Sequence, residues 1–152
     1  MSSKYKRKGK SQFLMLERYL VQSDAWRACT PNERAAYLEL KWRYKGTNNG
    51  SIVLSVRELA AALNIGKNAA DKALKDLEAK GFIEIVIRSG FNVKIKRASE
   101  YRLTEYACDV SGELATKAFM RWAPEKQNTV PLGGRPVPSQ GQIDTENREK
   151  AA

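Results

Sequence analysis

Apolar residues recur at intervals of three and four positions in two stretches near the middle of the chain. Such spacing places side chains on one face of an α-helix. In the first stretch these residues are Val56, Leu59, Ala60 and Leu63. In the second they are Ala70, Ala73, Leu74 and Leu77. Residues 64–66 interrupt the pattern with Asn and Gly, which tolerate the backbone angles of a turn. The pattern therefore predicts two short amphipathic helices joined by a tight turn.

Local signals predict where these two helices begin and end. Ser55 precedes Glu58 by three positions, a capping-box arrangement that predicts a helix beginning at Val56. Gly66 is suited to the N-cap of the second helix. Gly81 stands where a helix places its left-handed closing residue.

An earlier helix is predicted from a second capping box at residues 30–33, which has proline at the first helical position. We expect it to reach Lys45, with a buried stripe of Ala36, Tyr37, Leu40 and Tyr44. Trp42 lies off that stripe, and packing on the preceding segment is favoured over stacking on bases. In that preceding segment, we expect an extended piece at 13–16, then helical turns at 17–21 and around Trp26.

A β-hairpin is predicted after Gly81. Residues 82–88 alternate so that Ile83, Ile85 and Ile87 share one apolar face. A turn at 89–92 and a return strand at 93–97 would follow, and residues 51–54 would form a short strand paired with this hairpin. Residues 98–103 continue as a further strand, and 112–121 form a helix with Leu114, Ala118 and Phe119 or Met120 inward. That helix either packs on the core or offers a homodimer surface.

Part of this pattern is similar to winged helix-turn-helix DNA-binding domains. The residues that carry the resemblance are Leu59-Ala60, Leu63, Ile65, Leu74, Leu77 and Gly81-Phe82-Ile83. It implies an α+β fold with a three-helix core and a hairpin wing, here followed by an additional C-terminal helix. It also implies that the second helix of the pair enters the major groove of double-stranded DNA.

The resemblance also assigns contacts. Lysine can bond guanine acceptors and asparagine can bond adenine, so the expected base-reading positions on the second helix are Lys67, Asn68, Asp71 and Lys72. Asp71 puts an acid where phosphate would be near. Expected phosphate contacts, which fix register without reading sequence, are Ser55, Arg57, Lys75, Arg88, Lys94 and Lys96. For the hairpin lysines, the alternative is a solvated strand edge protected from aggregation.

The net charge of +10 is unevenly distributed along the chain. Residues 1–10 carry +5, residues 125–152 carry none, and the middle keeps +5. We expect 1–10 to be a disordered basic arm, either lying on DNA or only aiding solubility, and 11–123 to be the DNA-binding domain. Residues 124–152 are poor in large apolar side chains and are expected to be a disordered tail.

Composition argues against several classes of protein. The chain has no histidine, no phosphate-binding loop and no nucleophile elbow, so we expect no enzyme and no cofactor. Cys29 and Cys108 are too few and too far apart for a structural zinc site and are expected to be small core residues. The sequence holds neither a long apolar segment nor a signal peptide, which indicates a soluble, cytoplasmic protein.

Three functions remain open from the sequence. The first is a transcriptional regulator. The second is a phage or plasmid replication-initiation protein, because Asp24-Ala25-Trp26, Asn48-Asn49-Gly50 and the segment 55–58 resemble the front domain of such proteins. The third is a winged helix that binds only protein.

Overall fold

A computed structural model describes residues 12–92 and 95–124, so the predicted basic arm at 1–10 and all of the predicted tail except Pro124 lie outside this part. The described part is mixed α+β. Its helices are α1 (Arg18–Gln22), α2 (Asp24–Arg27), α3 (Pro31–Arg43), α4 (Val56–Leu63) and α5 (Lys67–Ala79), with a 3-10 turn, η1, at Ala118–Arg121. Its strands are β1 (Ile52–Leu54), β2 (Ile83–Ile87), β3 (Phe91–Asn92), β4 (Ile95–Lys96) and β5 (Ser99–Leu103).

Helices α3, α4 and α5 pack against one another through the apolar stripes that the sequence predicts. Fully or nearly fully buried members of these stripes are Ala36, Tyr37, Leu40, Leu59, Ala60, Ala70, Ala73, Leu74 and Leu77. Tyr44, Val56 and Leu63 are half-buried at the edge of the same core. Burial of each large side chain contributes about 1.5–3 kcal/mol relative to exposure, so this shared face is the main stabilising surface of the helical layer.

The helix boundaries follow local hydrogen bonds. Ser55 and Glu58 form the reciprocal capping box of α4, with distances of 3.2 Å and 2.9 Å. Thr30 caps α3, but the expected return bond from Glu33 is absent from the described residues. Glu33 is buried, and its carboxylate accepts from the Thr30 hydroxyl at 3.0 Å and pairs with Lys80 at 2.6 Å, so it keeps a local contact and adds a long-range one. Helix α3 also ends two residues before the predicted Lys45.

The three-stranded antiparallel sheet has the order β1-β5-β2, which corrects the predicted hairpin. The partner of β2 is β5, with Ile83 opposite Leu103, and not the predicted return strand at 93–97. A central strand must bury its side chains, and Tyr101 and Leu103 of β5 do so. The alternating lysines of 93–97 would place unpaired charge in that position, which is costly. Strand β1 therefore pairs with β5 and only indirectly with β2.

Beyond the sheet, the chain between β2 and β5 forms a separate tip. A register shift interrupts the ladder between Ile85 and Ile87, so the predicted apolar face is only partly kept: Ile83 is buried, while Ile85 and Ile87 are half-buried. Strands β3 and β4 then pair only with each other. We call residues 88–98 the hairpin tip.

The predicted helix at 112–121 is wrong. Gly112 and Lys117 have positive φ angles of 73° and 44°, which break helical geometry, and only the single turn η1 forms. Leu114 is exposed, whereas Phe119 is buried and stacks on Phe82 with ring centroids 4.9 Å apart. The segment thus packs back on the core, one of the two arrangements considered from the sequence.

The N-terminal segment follows its prediction more closely. Helices α1 and α2 are the predicted helical turns, and residues 13–16 precede them without regular structure. Phe13 and Trp42 are 79% and 56% exposed, and both line a cavity of about 610 Å³ beside α3. Trp42 therefore lies beside the preceding segment but is not a core residue. No helix within residues 12–92 and 95–124 is long and apolar enough to cross a membrane.

Gly81 ends α5 as predicted. Its φ is +78°, its amide donates to the Glu78 carbonyl, and the Phe82 amide donates to the Leu77 carbonyl. This pair of bonds is the Schellman arrangement of a helix C-terminus. A Cβ at this position would lie 2.9 Å from backbone and side-chain atoms of Ala118, so the glycine also permits η1 to approach the end of α5.

Replacing Gly81 by alanine should lower the free energy of unfolding by about 3 kcal/mol, since left-handed strain and overpacking add. Gly112→Ala is the matched control, because Gly112 has a φ of +73° but open space around it. It should cost only about 1 kcal/mol, from the backbone strain alone. Urea denaturation of the two variants measures the difference. Equal losses would contradict the close packing of η1 on α5.

Candidate nucleic-acid interface

A surface groove runs between the start of α4 and the base of the hairpin tip. It encloses about 440 Å³. Its lining residues are Ser55, Val56, Arg57, Ser89, Gly90, Arg97, Ala98 and Ser99. The Ser89 amide donates to the Ser99 hydroxyl at 3.0 Å, which holds the two sides of the hairpin tip together at the edge of the groove.

A smaller cavity of about 190 Å³ adjoins this groove on the side of α5. The two share Val56, Ser89 and Ser99. The smaller cavity adds Asp71, Leu74 and Lys75 from α5, and Ile85, Arg88 and Tyr101 from β2, the hairpin tip and β5. Together they form a continuous concave surface, which we call the α4–α5–hairpin groove.

The cations of this groove differ in how they are paired. Lys75 lies 2.5 Å from Asp71, Arg97 lies 2.5 Å from Glu100, and Arg88 lies 3.5 Å from Glu78. The side chains of all three cations are more than half exposed, so solvent screens these pairs and each contributes little to stability. Within the described residues, Arg57 has no such acidic partner.

Helix α5 carries no net charge, because its three lysines are balanced by Asp71, Asp76 and Glu78. Lys72 lies 2.5 Å from Asp76, and hydrogen bonding to this carboxylate raises the pKa of Lys72. The hairpin tip differs strongly from α5, since its sequence holds four basic residues and no acid. Much of the positive charge of the folded region is therefore in the hairpin tip.

The first turn of α5 is open to solvent. Gly66, Lys67 and Asn68 are exposed, and the N-cap supplies no side-chain hydrogen bond to the first amides of the helix. Unpaired amides and the helix dipole favour an anion at such an end. Lys67 has no ion-pair partner among the described residues.

The structure places the predicted site residues in three groups. The α4–α5–hairpin groove contains Ser55, Arg57, Asp71, Lys75 and Arg88. The exposed start of α5 contains Lys67 and Asn68. Lys72 lines a different cavity, against the start of α3. Lys94 lies outside the described residues, as does the side chain of Lys96.

Arg97, Ser89 and Ser99 line the groove, although they were not among the predicted site residues. Arg97 belongs to the basic run 94–97, and this run was the signal that could have identified it. The two serines gave no such signal, because their position depends on the pairing of β2 with β5.

Within the described part of the chain, neither a cluster of metal ligands nor a cysteine lines the groove. No group of three or more Cys, Asp or Glu side chains there could hold a metal ion. Cys29 and Cys108 are buried, as expected, and both are free thiols. Burial, with help from Glu33, raises the pKa of Cys29 to about 12.

Comparison with known proteins returned no relative: no protein family, no curated protein and no solved structure matches this chain.

The capping box at the edge of the groove gives a pH-dependent prediction. Hydrogen bonds from the Ser55 amide, and then from its hydroxyl, lower the pKa of the Glu58 carboxyl. A lowered pKa means that the ionised carboxyl stabilises the fold above its unfolded pKa, and that this stabilisation is lost as the pH falls through the folded value. Ser55→Ala should raise the pKa of Glu58 part of the way back, because only the amide bond remains.

The same variant should lose about 1 kcal/mol of stability at neutral pH, since one cap is removed. NMR titration of the Glu58 carboxyl and chemical denaturation measure the two effects. Ser55→Thr, which keeps a capping hydroxyl, serves as the control. A Ser55→Ala protein with both values unchanged would show that the capping box does not hold the start of α4.

Proposed function

We propose that this protein binds double-stranded DNA as a winged helix-turn-helix and acts as a sequence-specific transcriptional regulator. The observation that carries the proposal is the α4–α5–hairpin groove, which brings the start of α4, the side of α5 that carries Asp71 and Lys75, and the base of the hairpin tip with Arg88 and Arg97 onto one surface. On this proposal the protein is not an enzyme and acts through binding alone.

The order and packing of the elements support the winged-helix assignment. Helix α4, the turn at 64–66 and α5 follow one another, and both helices pack on α3. Asn64 takes a left-handed conformation with φ of 53°, which turns the chain sharply between the two helices. The hairpin tip follows α5 and lies beside the start of α4. This is the arrangement in which a second helix can enter the major groove while a hairpin lies against the backbone.

The dimensions of α5 suit the major groove. An α-helix with side chains is roughly 10–12 Å across, and the major groove is about 12 Å wide. Lys67 and Asn68 are exposed at the start of α5, where they would reach base edges first. Asparagine can bond adenine through two atoms, and lysine can donate to guanine. In the proposal, these two residues read sequence.

Phosphate contacts come from the groove and the hairpin tip. Arg57 and Arg97 lie on opposite sides of the larger cavity, and Arg88 lines the smaller one. Their exposed guanidinium groups would replace counterions on the DNA backbone, which gives salt-dependent affinity without sequence preference. Lys94 and Lys96 add two further charges in the sequence of the same tip.

The decisive experiment is selection from a randomised duplex library at two salt concentrations, with the wild type beside Lys67→Ala/Asn68→Ala. We expect the wild type to enrich one sequence and the double variant to lose that preference, because base contacts specify and phosphate contacts do not. Asn68→Ala alone should relax the preference at one position. Salt-sensitive binding without enrichment would contradict sequence reading. Complete absence of binding would favour the protein-interaction alternative.

The location of the enriched site then separates regulator from initiator. A footprint beside a promoter fits the proposed regulation, whereas a footprint at a replication origin would favour the phage or plasmid initiation protein.

Removing a phosphate contact should weaken binding to all duplexes and leave the sequence preference unchanged. Arg97→Ala should weaken binding only slightly, because Arg97 is already paired with Glu100. Arg57→Ala should weaken binding to enriched and random duplexes alike, by about eightfold at roughly 0.1 M salt, and should reduce the salt slope by about 0.9. Lys94→Ala should behave in the same way. Titration of labelled duplex at several salt concentrations measures both quantities. Arg121→Ala, an exposed cation in η1, is the control and should change neither. A selective loss for the enriched duplex would show that the arginines read bases.

A further inference from the structure

The two lysine–aspartate pairs of α5 line different cavities, and their one-residue offset turns them about 100° apart around the helix. Asp71 and Lys75 line the α4–α5–hairpin groove together with Arg88. Lys72 and Asp76 instead line a cavity of about 170 Å³ against the start of α3. Both pairs have the same i,i+4 spacing and the same 2.5 Å separation. The helix therefore presents the Asp71 carboxylate to the groove and the Asp76 carboxylate to the cavity beside α3.

Asp71 changes what a phosphate would meet in the groove. Its side chain is 44% exposed, and its carboxylate already neutralises the ammonium of Lys75. A DNA phosphate that approaches Lys75 therefore meets a pair with no net charge, in which the Asp71 carboxylate offsets the attraction of the ammonium. Like charges at short range oppose binding, and a lysine already paired to an acid releases little net counterion charge.

We propose that Asp71 is a specificity-determining residue that weakens binding to non-cognate DNA more than binding to the cognate site. This inference rests on the proposed DNA-binding function. Contacts to the backbone are the same on every duplex, so the cost of the Asp71 carboxylate applies to all of them. A cognate site can offset that cost with a hydrogen-bond donor, and the donor that suits a carboxylate in the major groove is the amino group of cytosine. Random DNA offers this donor only by chance.

The zero net charge of α5 also supports a role of Asp71 in specificity. A basic recognition helix would add affinity for every sequence, whereas this helix has no net charge and the hairpin tip holds the excess. On this proposal the hairpin tip attracts the DNA backbone, and α5 discriminates between DNA sequences.

Asp71→Asn tests the proposal because it removes the charge and keeps the shape. Affinity for a shuffled duplex should rise about eightfold at roughly 0.1 M salt, with a salt slope steeper by about 0.9, which is the effect of one additional effective phosphate contact. Affinity for the library-enriched duplex should rise less or fall. The ratio of the two affinities should therefore decrease by several-fold.

Asp76→Asn is the matched control, since it removes the same charge from the same helix outside the groove. It should leave the affinity ratio unchanged. Both lysines are largely exposed, whereas the side chains of Asp71 and Asp76 are 44% and 29% exposed. Such solvent-screened pairs contribute little to folding, and denaturation curves of the two variants check this.

Three results would overturn the proposal and leave DNA binding standing. They are an equal rise for shuffled and enriched duplexes with Asp71→Asn, no rise at all, or the same change with Asp76→Asn. Binding by the wild type without any enriched sequence also overturns it, because no specificity then exists to determine. A wild type that binds no duplex overturns both this inference and the proposed function.

Discussion

The sheet depends on one buried asparagine. Asn49 is completely buried, and its side-chain amide donates to the carbonyls of Leu103, Tyr106 and Ala107 at 2.8–3.2 Å, while its oxygen accepts from the Leu103 amide at 2.7 Å. Each buried backbone group left without a partner would cost about 1–3 kcal/mol. A single side chain therefore fixes the entry to β1 relative to the exit from β5. That junction holds β5 beside β1, and burial of Tyr101 and Leu103 makes β5 the central strand on which β2 pairs.

A second polar contact attaches the residues that follow β5 to helix α3. Glu105 is buried, accepts from the Lys41 ammonium at 2.7 Å and from the Tyr37 hydroxyl at 2.7 Å, and so joins α3 to the residues after β5. Burial, followed by the charge of Glu105, raises the pKa of Tyr37 well above its ordinary value, which keeps the hydroxyl a donor. Buried ion pairs add little net stability, but losing one partner is costly. This contact thereby links helix α3 of the helical layer to the chain just after the central strand of the sheet.

In α4, α5 and the sheet, structural features that depend on contacts between residues close in sequence were predicted correctly, whereas features that depend on contacts between distant residues were not. The starts of α4 and α5 and their buried stripes were predicted correctly, because capping bonds and helical spacing act within a few residues. The partner of β2 was predicted wrongly, since the central strand is chosen by burial of Tyr101 and Leu103 across the whole sheet. Glu33 likewise binds Lys80, the residue just past the C-terminus of α5. The sequence analysis named Arg57, Lys75 and Arg88 as phosphate contacts but predicted no groove, whereas Ser89 and Ser99 were not named because their place depends on that strand pairing.

The end of the β2–β5 ladder at Ile87–Glu100, just past the register shift, separates two structural tasks along one hairpin. Below this end, β2 and β5 belong to the core, and their length and sequence are constrained by packing. Above it, β3 and β4 pair only with each other, so the strands of the tip make no ladder contact with the core sheet within the described residues. Insertions, deletions or changes of charge in this part would leave the core ladder in register. The tip is therefore the part of the protein that evolution or an engineer could exchange as a unit, to change the strength of surface attraction while the folded core is conserved.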